Sequence, residues 1–377
     1  MSRSKLCGGG SHLLVAPGQA GNVVGIDPHK HGLSALVLDE RGGVLGCEHF
    51  RVSGIGHRAL EVWARQFGPI ARWGVEGASG WGRHTAMYLI AQGYDVRDVC
   101  PARTSRSDRA RQRGKSDVLD CERIARETLA HSLLPRAFKR AGQDRAPDQT
   151  HELLALWHNQ RRSIVKTRQH LLNESEDLLN TLALEVGEQL PATKSIKPRL
   201  AAAARMAPPA GDVVSALRLR LLGDYHQQIR QLDAQEKAVV RELSTLIGAC
   251  GCTLEQLHGL SVRSVAELLV EVGDPRRFTE GGFARFNASA PLAASTGEGP
   301  DEPVRHRLNP GGNRRVNRIL HLMAVTQLRC EPKAQAIYNN ARTRGHTKKE
   351  ARRILKRHLS NVIYHRMTRD LTPLPSP

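Results

Sequence analysis

Val23-Val24-Gly25-Ile26-Asp27-Pro28-His29-Lys30 reads as a buried strand that carries one carboxylate, Asp27, to its end. Val23, Val24 and Ile26 are β-branched and apolar, which suits a strand. Pro28 has no N–H to give to a ladder, so pairing should stop just past Asp27. Two similar strands are expected at residues 33–39 and 44–52, separated by Gly32 and by the turn Asp39-Glu40-Arg41-Gly42-Gly43. An acid at the end of one strand is ordinarily a turn cap. Its meaning depends on whether later carboxylates converge on it.

They recur in the right places. Ala59, Leu60, Trp63, Ala64 and Phe67 have helical spacing, which predicts a helix over 54–67. Residues 72–77 form a short fourth strand ending in Glu76. A helix over 79–92 stops at Gly93, and a fifth strand over 94–100 is closed by Pro101. The order β-β-β-α-β-α-β-α is that of an RNase H-like α/β domain, a mixed sheet with helices on its faces.

The next stretch is basic. Arg103, Arg106, Arg109, Arg111, Arg113 and Lys115 fall within residues 103–115, a density suited to phosphate contact. Ser116 can then cap a helix whose first turn holds Asp117 and Asp120, three apart on one face. Acids there also complement the helix dipole. That accounts for either one alone, but not for the strand-end acids upstream. Clustered carboxylates repel and call for a cation. An oxygen-only ligand set favours Mg²⁺ or Mn²⁺, which can polarise a phosphodiester.

Five stretches are expected along the chain: a Gly/Ser-rich disordered lead-in (1–20), the acid-bearing α/β domain (21–135), a linker with long helices (136–250), a mostly helical domain (251–345) and a basic helical tail (346–377). In the third, Ile164, Leu171, Leu172, Leu178, Leu179 and Leu182 mark one helix, and 191–211 reads as a loop or hinge. Leu222, Tyr225, Ile229, Leu232, Glu236, Val239, Leu243 and Leu246 step by three and four, a coiled-coil pattern broken only by Glu236. The two helices form an antiparallel hairpin, a dimer interface, or both. Leu257-His258-Gly259-Leu260-Ser261 before an apolar run resembles a helix-hairpin-helix, whose Gly turn offers N–H groups to phosphate. A basic segment follows with Arg305, Arg307, Asn313, Arg314 and Arg315, expected to contact nucleic-acid phosphates.

Composition narrows the partner. The net charge is +19 over 377 residues, which implies an acidic ligand, nucleic acid first. A run of about 18 apolar residues, the minimum for a spanning helix, does not occur, and no signal peptide is expected. Only 4% of residues are aromatic, too few for a surface that stacks single-stranded bases. The seven Cys are scattered, so they read as reduced core thiols in a bacterial-type cytoplasm rather than as a zinc site.

Four blocks carry a resemblance: Asp27-Pro28-His29-Lys30, Val75-Glu76-Gly77-Ala78-Ser79, residues 115–126, and residues 288–298 with 306–324. In this order they resemble the DEDD transposases of the insertion sequence 110 family, over about 25–345. The resemblance implies a RuvC-like N-terminal domain, a coiled-coil middle and a C-terminal transposase domain. It implies Asp27, Glu76, Asp117 and Asp120 as a metal-binding tetrad. It implies a nucleophilic hydroxyl that joins covalently to DNA, with a structured bridge RNA pairing to donor and target DNA. It also implies a dimer or tetramer with composite sites, associated with the nucleoid. The family places a Ser immediately before the residue matching Gly297, and here that residue is Thr296, preceded by Ser295. The nucleophile is one of these two. Arg305, Arg307, Arg314 and Arg315 would hold DNA phosphates. The alternative is a RuvC-like junction resolvase or nuclease that uses water.

Overall fold

Asn22–Pro28 (β1) is the central strand of a five-stranded mixed sheet. The computed structural model describes residues 21–100, 117–131, 134–140, 147–207, 211–293, 306–307, 309 and 311–371. On one side of β1 lie Gly32–Leu38 (β2) and then Val44–Arg51 (β3), each antiparallel to its neighbour. On the other side lie Ile70–Glu76 (β4) and Val96–Val99 (β5), both parallel. The order β3-β2-β1-β4-β5 is compatible with the expected RNase H-like domain.

The sheet separates its two faces by simple alternation. Val24, Ile26, Ala35, Val37, Trp73 and Val75 point to one side. There they meet Leu60 and Ala64 of Gly54–Arg65 (α1) and Leu89 of Arg83–Ala91 (α2). Ser53 caps α1, accepting from Gly56 N at 3.0 Å. The other face is covered by Asp117–Ala130 (α3), whose Cys121 and Ala125 pack with Leu36 and Leu38.

The chain divides into two units, Met1–Asp148 and Gln149–Pro377. The first boundary was expected at 135. It falls later because Ala137 and Phe138 are buried in the sheet's core and Arg136 bridges to Arg97 on β5. Residues 136–140 are therefore sheet packing rather than linker.

The second unit is helical. Gln149–Asn180 (α4) and Val213–Ala249 (α7) run antiparallel, since Leu154 and Ile164 pack with Val239, Leu243 and Ile247 while Leu171 and Leu179 pack with Leu219 and Leu222. Between them come the single turn Leu184–Gly187 (α5) and Ile196–Ala203 (α6). The latter corrects the expected loop: Ile196, Leu200 and Ala203 fall on one face and seat against the helix pair.

Glu236, the break in the apolar seam, is 5% exposed and is met by Arg161 at 3.1 Å, by Arg168 and by Arg263 at 3.4 Å. The same core continues into Val262–Val272 (α8), Glu280–Phe286 (α9), Arg314–Cys330 (α10), Pro332–Thr343 (α11) and Lys348–Leu371 (α12). The middle and C-terminal stretches expected as separate domains thus share one core. The expected tail is part of it too. Leu355, Leu359, Ile363 and Met367 of α12 are buried, and each is worth about 1.5–3 kcal/mol against exposure.

Three further expectations change. In place of the expected helix-hairpin-helix the structure has a short 3₁₀ turn, Leu254–Gln256, then the turn at Gly259 and α8. Gly259 has φ +92°, and a Cβ there would lie 2.9 Å from Met323 Cα on α10, so this turn is packed against a helix. Of the described cysteines only Cys121 is fully buried, while Cys47, Cys100 and Cys330 are exposed. Residues 1–20, the expected lead-in, lie outside the described residues. No described helix is long and apolar enough to cross a membrane.

Candidate active site

β1 and β4 run parallel in the register Ile26 to Val75. One residue further along, each strand carries an acid, Asp27 and Glu76. They therefore end side by side. Both strands carry a glycine two residues earlier, Gly25 and Gly74, so each acid shares a face with its glycine.

That face belongs to α3. A Cβ on Gly25 would lie 2.3 Å from Ala125 N and 2.5 Å from Cys121 O, and one on Gly74 would lie 1.8 Å from Thr128 Oγ1. Real Cβ atoms do not approach so closely, so only glycine lets the helix lie on the strands. The direction of α3 follows. Thr128 sits at Gly74, and Ile124 packs with Val99, the β5 neighbour of Glu76. The helix runs against β1 and β4, which brings its first turn to their carboxyl ends. Asp117 and Asp120 are in that turn.

Asp27 is 9% exposed, stands opposite Ser34 on β2 and has His29 Nε2 3.7 Å from its Oδ2. Asp120 accepts from Arg123 Nη1 at 2.8 Å. The side chain of Asp117 lies outside the described part. Among the described residues no three His, Cys, Asp or Glu side chains form a group that could hold a metal ion. The donor chemistry, carboxylate oxygens at one end of a sheet, suits a hard divalent cation.

The other expected half is partly described. Leu292–Ala293 (β6) pairs antiparallel with His306–Arg307 (β7), Leu292 to Arg307 and Ala293 to His306. Ser295, Thr296 and Arg305 fall between these strands and lie outside the described residues, as does the side chain of Arg307. The basic residues Arg103, Arg106, Arg109, Arg111, Arg113 and Lys115 lie outside them too.

Two expected phosphate ligands have other work. Asn313 caps α10, its Oδ1 accepting from Arg315 N at 3.0 Å and Val316 N at 3.1 Å, while its Nδ2 donates to Glu271 Oε2 at 2.7 Å. Arg315 pairs with the same Glu271. Arg314 is exposed. These roles follow from Glu271, 7% exposed, which an adjacent basic run does not reveal.

Sequence reasoning also missed Asp98. It accepts from Ala78 N at 2.8 Å and so anchors the turn that follows Glu76. His29 was visible in the Asp27–Lys30 block, but its approach to Asp27 depends on the tight return of His29 N to Gly32 O at 2.8 Å.

Comparison with known proteins agrees with this organisation. Residues 24–183 match a DEDD model of the IS110 group described as "Transposase". Residues 252–339 match "Transposase IS116/IS110/IS902 family". One relative, "Insertion element IS110 uncharacterized 43.6 kDa protein" from Streptomyces coelicolor, is 32% identical over 164 residues. That stretch is 43% of this chain and 38% of the relative, so the match spans about two fifths of the relative's length. The first matched segment includes α4, α7 lies between the two, and both models describe the same kind of protein: the chain belongs to the IS110 family of transposases.

Proposed function

We propose that this protein is a transposase that cuts and exchanges DNA strands for an insertion sequence, using an acid site in its first unit and a hydroxyl nucleophile in its second. The observation that supports it is the parallel register of β1 and β4, with α3 laid against them on two glycines. It sets Asp27 and Glu76 side by side, with the first turn of α3 running toward the same sheet end. Asp27, Glu76, Asp117 and Asp120 would hold a divalent cation, Mg²⁺ or Mn²⁺, which supplies Lewis acidity toward a phosphodiester.

The chain's own residues then do the following. The hydroxyl of Ser295 or Thr296 attacks the scissile phosphorus. Its oxygen forms the new phosphoester as the bond to the 3′ oxygen breaks. The hydroxyl proton goes to solvent or a base, and the 3′ oxygen takes one up. Attack by another 3′ hydroxyl reverses the step and restores the side chain. His29 helps to orient Asp27. In this reading donor and target DNA are the substrates, a structured bridge RNA selects them, and the two halves of the site come from different protomers of a dimer or tetramer.

The test is strand exchange with Mg²⁺ and the cognate element. Asp27→Asn or Asp120→Asn should lower it by about 10³-fold, roughly 4 kcal/mol of barrier, while DNA binding persists. Full exchange by both variants would overturn the acid site. Ser295→Ala and Thr296→Ala, tested for a trapped protein–DNA adduct, name the nucleophile. Strand cleavage with no adduct in the parent protein would instead support a hydrolase that uses water.

A further inference from the structure

Two helices of the second unit face each other with cations. On α10, Arg314, Asn317 and His321 are three and four apart and lie along one side. On α12, Arg352 and Lys356 are four apart, with Arg353 beside them. Lys356 joins the rows, its Nζ donating to Asn317 Oδ1 at 2.7 Å.

Among the described residues no carboxylate forms an ion pair with Arg314, Arg352 or Lys356, and of the acids Arg353 feels only the charge of Glu350. Burial first, then Arg353 and Arg314, hold the Lys356 ammonium below its ordinary pKa. Burial, then Lys356 and Arg352, do the same to His321. Arg352 Nε is buried and finds no hydrogen-bond acceptor among the described residues. The acid nearest along α12, Glu350, is engaged by Thr347 at 2.8 and 2.9 Å.

The buried acids of the unit are each matched by arginine. Arg315 meets Glu271, Arg318 meets Glu267 at 2.6 Å, and Arg161 and Arg168 meet Glu236. Four cations gathered around a single exposed acid repel one another until an anion sits between them.

Their place suggests the anion. Asn317 Nδ2 donates to the carbonyl of Asn287 at 2.7 Å, and Asn287 Nδ2 donates to Ser360 Oγ at 2.8 Å. Asn287 and Ser360 are fully buried. The cations are thus tied to the chain just before β6, from which the segment bearing Ser295 and Thr296 departs.

We propose that Arg314, Arg352, Arg353 and Lys356 form a cradle for phosphodiester groups of a bound nucleic-acid backbone. The identity of the anion rests on the transposase reading; the unmatched charge does not. The test is fluorescence anisotropy with full-length protein, in EDTA so that no strand is cut, across a range of salt. One arm uses a labelled duplex DNA and the other a single-stranded RNA of equal length.

Each cation removed should flatten the slope of log affinity against log salt by about 1. Arg352→Gln with Lys356→Gln should therefore lose about 2 from the slope and about 100-fold in affinity near 0.1 M salt, for lines that meet near 1 M. Arg314→Gln with Arg353→Gln, both exposed, should do likewise and carries the test if the first pair does not fold. Arg241→Gln, exposed on α7, should change nothing.

Loss with duplex alone assigns the cradle to DNA, loss with RNA alone to a guide strand, and loss with both to either backbone. Unchanged slopes in both arms overturn it. Asp27→Asn should bind like the parent here, so failure of the cradle and failure of the acid site are told apart.

Discussion

Glu236, Glu267 and Glu271 in the helical unit are 5–7% exposed, and Asp27 at the end of the sheet is 9% exposed, yet these acids are held in different ways. The glutamates are held by guanidiniums: Arg161, Arg168 and Arg263 on Glu236, Arg318 on Glu267, Arg315 on Glu271. Desolvating a carboxylate costs several kcal/mol, and close, hydrogen-bonded arginines offset it. Such acids are part of the packing. At the sheet the recurring element is backbone geometry. A glycine two residues before each acid, Gly25 before Asp27 and Gly74 before Glu76, admits α3 and aligns its first turn with the strand ends. Burial alone therefore does not mark a reactive acid. The distinction lies in whether side chains or the architecture of the sheet put it there.

The largest effect should come from removing a guanidinium-held acid. Glu236→Ala leaves three arginines around an empty place and should destabilise the second unit by about 3–5 kcal/mol in urea unfolding. Burial opposes ionisation of Glu236, but hydrogen bonding and charge from Arg168, with the charges of Arg161 and Arg263, outweigh it and hold its pKa below the ordinary 4.5. Its contribution is therefore present above pH 4.5 and is lost as the pH falls below that value. A parent and variant with equal urea midpoints would erase the contrast between the two regions.

Gly25→Ala should be next, at about 3 kcal/mol in the first unit, because the new Cβ meets backbone on α3. Fluorescence of Trp73, buried on β4, can follow it. The variant should also lose strand exchange, although no acid has been changed. Retained exchange would show that the acids do not depend on the glycine contacts.

The smallest effect concerns His158, which is 1% exposed and whose two ring nitrogens find no partner among the described residues. Burial first, then Arg162 and Arg161, push its pKa down to about 4. The unfolded imidazole protonates near 6.5 and the folded one near 4, so between these values unfolding takes up a proton. Stability of the helical unit should fall by about 2–3 kcal/mol as the pH drops from 6.5 to 4. His158→Phe should flatten the melting temperature over that window. An unchanged pH profile would remove His158 from the picture.

Much of the first unit is legible in the residues. β-branched runs end in acids at Asp27 and Glu76, and turn residues punctuate them. The stripe from Leu222 to Leu246 announces α7, and its break at Glu236 signals a buried charge without naming its partners. Asn313 and Arg315 were read as phosphate ligands because they sit in a basic run. Glu271, 44 residues before Arg315, is what claims them. The tail reads in sequence as a basic helix because cations dominate its composition, whereas its buried stripe of Leu355, Leu359, Ile363 and Met367 makes it core.

The sequence by itself determined the kinds of element, the acids at the strand ends, the excess of positive charge and the family likeness, because each is written in local spacing or composition. Only the tertiary structure decided that Asp27 and Glu76 stand on neighbouring parallel strands, that the first turn of α3 runs toward their ends, and which arginines meet buried acids. Those outcomes depend on strand register, helix direction and through-space distance between residues far apart in the chain, and electrostatic and steric energies act through that distance rather than through sequence separation.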